Sequence, residues 1–200
     1  FQADSPYIAS ILPDEFLRRM RRWLGNEYEA FLSIYSQPPV KGLRVNTLKI
    51  EAKHFQLISP FDLEIIPVCP DGFLIPGASQ PGKHPYHAAG LYYLQDPSAM
   101  AVVELLDPQP GERVLDLAAA PGGKATHIAA RMENRGLFVA NEIHPRRVWE
   151  LAGNLERWGV RNAVITNETP QRLADHWEGY FDKVLLDAPC SGEGMFRKSK

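Results

Sequence analysis

RVLDLAAAPGGK, Arg113 to Lys124, is the stretch that decides the architecture. Val114 and Leu115 begin a short apolar run that reads as a buried strand, and it breaks into alanines, a proline and two adjacent glycines before a helix opens at about Lys124. Downstream come GLFVANE, a helix from about Pro145, AVIT and FDKVLLD. Strand, tight loop and helix in repetition predict an α/β domain with a parallel sheet. In such sheets ligands bind beyond the carboxyl ends of the strands. Two segments therefore become candidate site: the loop Ala118 to Lys124, and LLDAPCSG, Leu185 to Gly192, where Val184, Leu185 and Leu186 have the character of a buried strand. Pro189 cannot continue a strand's hydrogen-bond ladder, so Asp187 and Cys190 are expected to emerge at its end.

The small residues Ala118, Ala119, Ala120, Pro121, Gly122 and Gly123 let a ligand approach the backbone, and the helix that follows leaves its first amides free for polar ligand atoms. A phosphate-binding loop would need Gly at Ala118 and Ser or Thr at Ala125, and a dinucleotide fingerprint would need three spaced glycines. Neither matches. Glu142 ends the next strand near the spacing at which an acidic residue holds ribose hydroxyls, although a carboxylate there could also cap the following helix. The loop and Asp187 together favour the ribose.

The 200 residues are 44% hydrophobic, enough for one sizeable core with a small appended lobe, and the formal charge is -2. That balance argues against a whole-surface nucleic-acid field but permits a local basic patch. No run reaches the roughly 18 apolar residues of a membrane span, and Phe1 to Ser10 lacks signal-peptide character. A cytoplasmic location is expected, with Cys69 and Cys190 as free thiols, Cys69 structural. The texture changes near residue 90, after the Pro- and Gly-rich Ile75 to His87, which predicts a lobe over 1–88 and a second domain over 89–200. Phe16, Met20 and Trp23 recur at helical spacing between Pro13 and Gly25, and Tyr28, Phe31, Leu32 and Tyr35 suggest a second helix. Leu43 and Val45 alternate with Arg44 and Asn46 as in a half-buried strand, and short strands are expected at Ile65 to Val68 and Phe73 to Ile75.

QDPSAM, DLAAAPGGKAT, NEIHPRR and DAPCSGEGMFRK, with RVNTLK (Arg44 to Lys49) upstream, resemble the RNA cytosine-5 methyltransferases of the Sun/Fmu family, most closely its RsmF-type ribosomal RNA branch. The resemblance covers nearly the whole chain. It implies a Rossmann-like class I methyltransferase domain binding S-adenosyl-L-methionine, preceded by a small α+β lobe that helps to hold RNA. By motif, Ala118 to Lys124 would line the amino acid part of that cofactor, Glu142 would hold its ribose, and Asp187 would lie between cofactor and target base. The family usually has an aspartate after the third strand where this chain has Asn167, which could still meet an adenine amine through its side-chain oxygen, with Glu168 or Thr169 as the alternatives.

Carbon 5 of cytosine is too poor a nucleophile to attack a methyl sulfonium unaided, so a thiolate adds to carbon 6 and a base later removes the carbon 5 proton. Asp187 could hydrogen-bond the ring or its amine as charge develops, with Lys124 orienting it. From the residues alone Cys190 is the nucleophile. The family resemblance instead gives that role to a cysteine in a later strand-end motif and makes the cysteine of PCSG a helper in adduct breakdown. No cysteine follows Cys190.

The resemblance implies seven strands, of which four are legible, expected in the order three, two, one, four. This predicts a domain truncated after its fourth strand, and a fragment inactive by itself, with that strand's edge bare. Arg18, Arg19, Arg21 and Arg22, with Lys41, Arg44 and Lys49, form the best basic cluster; Arg44 and Asn46 are the candidate RNA contacts. Tyr92 and Tyr93 suit core packing better than base stacking. His84, His87, His127, His144 and His176 show no metal spacing, so no metal is expected. Ribosomal RNA is the substrate that the resemblance implies; transfer RNA, and a non-catalytic cofactor- and RNA-binding module, are the alternatives.

Overall fold

The computed structural model describes residues 12–35, 37, 40–75, 79–188, 192 and 196. Helix α1 (Asp14–Leu24) carries Asp14 and Glu15 in its first turn and Arg21 and Arg22 in its last, a charge order that complements the helix dipole. It is followed by α2 (Tyr28–Tyr35), and Phe16 of α1 lies 6.1 Å, ring to ring, from Phe31 of α2. Trp23, expected on the apolar face, is 61% exposed.

The chain then forms an antiparallel sheet from β1 (Lys41–Val45), β2 (Glu64–Ile65), β3 (Gly72–Ile75) and β4 (Tyr92–Leu94), in the order β2-β3-β1-β4. Helices α3 (Ala52–Ile58) and α4 (Pro85–Ala88) lie in its connections. Leu43, Val45, Phe55, Phe73, Ile75 and Tyr92 make its core. The half-buried reading of β1 is corrected here. Four successive residues, Gly42 to Val45, are buried, because the second face of the strand packs inside the molecule as well. A side chain on Gly42 would meet the Gln95 carbonyl at 2.5 Å, which shows how closely the next segment crosses β1.

Helix α5 (Pro97–Leu106) opens at Pro97, with the Asp96 side chain accepting from Ser98 N. A parallel sheet follows, built from β5 (Arg113–Asp116), α6 (Gly123–Arg131), β6 (Leu137–Asn141), α7 (Pro145–Trp158), β7 (Ala163–Thr166), α8 (Pro170–Trp177) and β8 (Lys183–Leu185). The strand order β7-β6-β5-β8 agrees with the order expected from sequence. Side chains alternate between two cores: Val114, Phe138 and Ala140 pack with α5, α6 and α7, while Leu115 and Val139 pack with Leu173 of α8. The expectation of a buried fourth strand needs correction. Only Leu185 is buried; Val184 is 49% and Leu186 61% exposed, since among the described residues β8 pairs with β5 alone.

By compactness both sheets fall in one unit, and α1 and α2 belong to another. The division at residues 88 and 89 marks a change of texture, but β4 completes the first sheet from beyond it. Among the described residues no helix is long and apolar enough to cross a membrane.

Candidate functional site

The ends of β5, β6 and β7 are tied together by one side chain. Asn141, fully buried at the end of β6, donates from Nδ2 to the carbonyls of Leu117 (3.1 Å) and Glu168 (3.0 Å). Its Oδ1 accepts from Thr166 Oγ1 and Glu168 N. A buried polar group that meets all its partners holds them in one arrangement, so the loop between β5 and α6 starts from a fixed point. Ala119 N donates to Asn141 O, and Leu117 N to Leu185 O.

That loop, residues 117–122, turns back through a cis Ala120–Pro121 bond into Gly122 at φ 119, a backbone value suited to glycine. Its outward carbonyls are braced by α7: Arg147 donates to Ala120 O (2.6 Å) and Asn154 to Pro121 O (2.7 Å). From the other side, Arg44 donates to Gly123 O (3.0 Å) and Thr126 Oγ1 (2.8 Å). The carbonyls are thus engaged, and the first amides of α6 have no helical acceptor, which makes the loop suitable for an anionic group.

Two carboxylates stand at the strand ends. Asp116, at the end of β5, is 1% exposed; Oδ1 accepts from Ala118 N and Oδ2 has no hydrogen-bond partner. Burial pushes its carboxyl up to about 7, against the pull of Ala118 N and the nearby Lys124 cation. Glu142, just after β6, is 2% exposed; Oε1 accepts from His144 N (2.9 Å). Its Oε2 lies 3.1 Å from Arg147 Nη1 but receives no aligned hydrogen bond. The helix-cap reading of Glu142 therefore accounts for one oxygen and leaves the other open. Asn167 donates to Glu142 O at 2.6 Å, which commits its amide nitrogen and leaves its oxygen as the group to accept from a ligand.

Lys124, in the first turn of α6, reaches across to Asp187 beyond β8, with 2.5 Å between Nζ and Oδ2. Asp187 is more than half exposed, whereas Lys124 is mostly covered, so the carboxylate is presented to solvent by a lysine anchored behind it. The sequence-derived residues Ala118 to Lys124, Glu142 and Asp187 are brought together by these contacts, and Asn167 touches Glu142. Cys190 lies outside the described residues.

Arg44 and Asn46 are not presented at the surface. Arg44 is 1% exposed and lies 4.9 Å from the Trp158 ring centroid, with Nε donating to Gln95 Oε1. Asn46 donates to Gly90 O and Trp158 O, and Lys49 to Ala89 O and Arg157 O, so RVNTLK grips the end of α7 and the start of α6. This corrects the reading of Arg44 and Asn46 as RNA contacts: both are buried and bonded to internal acceptors. Tyr92 is fully buried and donates to Pro81 O, as core packing requires.

Asp116, Asn141, Arg147 and Asn154 were not singled out from sequence. For Asp116 and Asn141 a signal existed, a polar residue ending an apolar strand; for the two α7 residues there was none. Tertiary structure also gathers Cys69, Glu104 and His127, whose ligating atoms lie within 4.8 Å of one another. His127 Nε2 and Glu104 Oε1 are 2.9 Å apart. Burial pushes the Cys69 thiol up to about 12 and the His127 imidazole down to about 4, so these groups stay uncharged beside Arg44 and Arg131. The cluster is a hydrogen-bonded piece of core.

Family models agree with this arrangement. Residues 12–97 match the N-terminal domain of 16S rRNA methyltransferase RsmF, and residues 103–200 match 16S rRNA methyltransferase RsmB/F. The chain belongs to the RsmB/F methyltransferase family. Among RsmB/F relatives, Ribosomal RNA small subunit methyltransferase F of Enterobacter sp. is 43% identical over 198 residues, covering 93% of this chain and 41% of the relative. The Escherichia fergusonii protein of the same name is 40% identical, with 93% and 41% covered. The chain thus spans about two fifths of the length of these relatives. A solved methyltransferase homolog from Pyrococcus horikoshii superposes with a TM-score of 0.82 at 31% identity, over 98% of this chain and 67% of that one. The parallel sheet and its loops are thus the class I methyltransferase fold of the RsmB/F family.

Proposed function

We propose that the natural protein carrying this chain methylates carbon 5 of cytosine in RNA with S-adenosyl-L-methionine, and that its substrate is small-subunit ribosomal RNA. The observation that carries the cofactor is the buried Asp116 Oδ2, which has no hydrogen-bond partner, together with the buried Glu142 Oε2, which pairs with the Arg147 cation but receives no aligned hydrogen bond, beside a glycine loop with free helix amides. Buried acceptors without donors are rare, and a ligand bearing hydroxyl and ammonium donors satisfies them. The residues present fit the cofactor: Gly122 to Lys124 for its amino acid carboxylate, Asp116 for its ammonium, Glu142 for ribose and Asn167 for the adenine amine. When bound, S-adenosyl-L-methionine supplies an electrophilic methyl group.

Asp187 then faces the target base, with one oxygen accepting from the cytosine amine, and Lys124 fixes its direction. The lobe over 1–88 is read as the RNA-holding part, with the exposed Arg18, Arg21 and Arg22 of α1 as phosphate contacts. Small-subunit ribosomal RNA is supported by the names of the relatives, and a cytoplasmic location follows from that substrate. The test is transfer of labelled methyl from the cofactor to carbon 5 of cytosine by the natural protein. Transfer into 16S rRNA is expected; transfer into transfer RNA alone would move the substrate, and cofactor binding without transfer to either would leave a binding module.

A further inference from the structure

Arg44 is the largest buried cation among the described residues, and none of its hydrogen bonds goes to a carboxylate. Burial lowers its guanidinium from 12.5 to about 10, so it remains charged at neutral pH. Burying a cation without a bonded counter-charge is costly, and its acceptors are therefore informative. Gln95 Oε1, Gly123 O and Thr126 Oγ1 each accept from it at 3.0 Å or less, and the Trp158 ring lies against its plane. Thr126 in turn donates to Gly123 O at 3.1 Å, which closes a ring of contacts under the first turn of α6. A side chain on Gly123 would lie 3.4 Å from Tyr93 Cε1 and 3.6 Å from Gln95 Nε2, so the segment around β4 forms the floor on which this turn rests.

We propose that Arg44 is a positioning residue for the cofactor: Nε is anchored on Gln95 while Nη2 holds both Gly123 O and Thr126 Oγ1 from beneath, and so sets the height and direction of the α6 amides that meet the amino acid end of the ligand. The proposal deepens the reading of Ala118 to Lys124 as the S-adenosyl-L-methionine loop and rests on it. Glu142 and Asn167, at the nucleoside end, are held by separate contacts, from His144 N and to Glu142 O. Loss of the fork should therefore act on one end of the ligand. A single ammonium cannot serve Gln95 from one nitrogen and Gly123 with Thr126 from another, so Lys is no substitute at this position.

The experiment measures binding of S-adenosylhomocysteine and of adenosine to the natural full-length protein, its Arg44→Met variant and its Thr126→Val variant, by calorimetry. For Arg44→Met, a loss of about tenfold or more for S-adenosylhomocysteine is expected, the size of one to two charge-assisted hydrogen bonds, with adenosine changed by less than about twofold. Thr126→Val, which keeps the shape but removes an acceptor, should show the same split at about threefold, and it decides the matter if Arg44→Met does not fold. Equal losses for both ligands would mean a merely structural role and overturn the proposal, as would unchanged affinity for both. Failure of the unaltered protein to bind S-adenosylhomocysteine would instead strike the cofactor reading itself.

Discussion

The two ends of the candidate site are built differently. The loop end, Ala118 to Gly123, is strapped by Asn141, Arg147, Asn154 and Arg44, with donors from both sheets and from α7. The β8 end, Leu185 to Asp187, pairs with β5 alone among the described residues, and Lys124 holds its acidic group. A ligand that must be gripped the same way on every turnover favours a preorganised cradle, whereas a group that meets a large nucleic-acid substrate must remain accessible. Among the described residues, side-chain braces are concentrated where the cofactor would sit, and Asp187 is an exposed carboxylate where the base would arrive.

The largest effect expected is at the open end. Asp187→Asn in the natural protein should lower methyl transfer by about 10²- to 10⁴-fold, with S-adenosylhomocysteine affinity changed by less than about threefold in the same preparation. A parallel collapse of binding would erase the contrast between the ends. At the braced end, Asn141→Ala removes four hydrogen bonds from a fully buried position and should cost about 3 kcal/mol, read from urea unfolding. A smaller cost follows from Gly122→Ala, which places a Cβ 3.1 Å from Asn154 Cβ at φ 119. About 1–3 kcal/mol is expected, together with weaker cofactor binding.

Asp116 sharpens the comparison through pH. Its carboxyl is raised from 3.8 to about 7 by burial, so between these values the folded protein holds a proton that the unfolded chain has released. The stability associated with that proton is fully present below about pH 4 and lost as the pH rises through about 7. Asp116→Asn should therefore flatten the decline of melting temperature between pH 5 and pH 8; an unchanged decline would show that Asp116 titrates normally. The smallest effect belongs to the edge. Val184→Thr on half-exposed β8 should alter stability by no more than about 0.5 kcal/mol, measured by the same unfolding curves.

Much of the parallel sheet was legible because its strands are short apolar runs closed by small residues, and helix α7 announces itself by Pro145 at its start and Gly159 at its end. The antiparallel sheet was harder. Its β1 and the residue after it carry Arg44 and Asn46 in alternation with Leu43 and Val45, and alternation is read as one wet face unless a second layer is known to cover it. The same blindness affected β8, whose apolar Val184 and Leu186 promised burial that one neighbouring strand does not supply.

The sequence by itself determined the alternation of strands and helices, the glycine loop, and the motifs that carry the family resemblance, which in turn implied the strand order, because those depend on local chemistry: which residues turn, which approach closely and which cannot continue a ladder. It also placed Lys124, Glu142 and Asp187 at the ends of their elements. Only the tertiary structure decided that Arg44 supports the loop from within, that Asn141 ties three strand ends, and that Asp116 and Glu142 each keep one oxygen that receives no aligned hydrogen bond. Burial and hydrogen-bond satisfaction are properties of neighbours distant in the chain, 79 residues distant for Arg44 and Gly123. No local pattern encodes them.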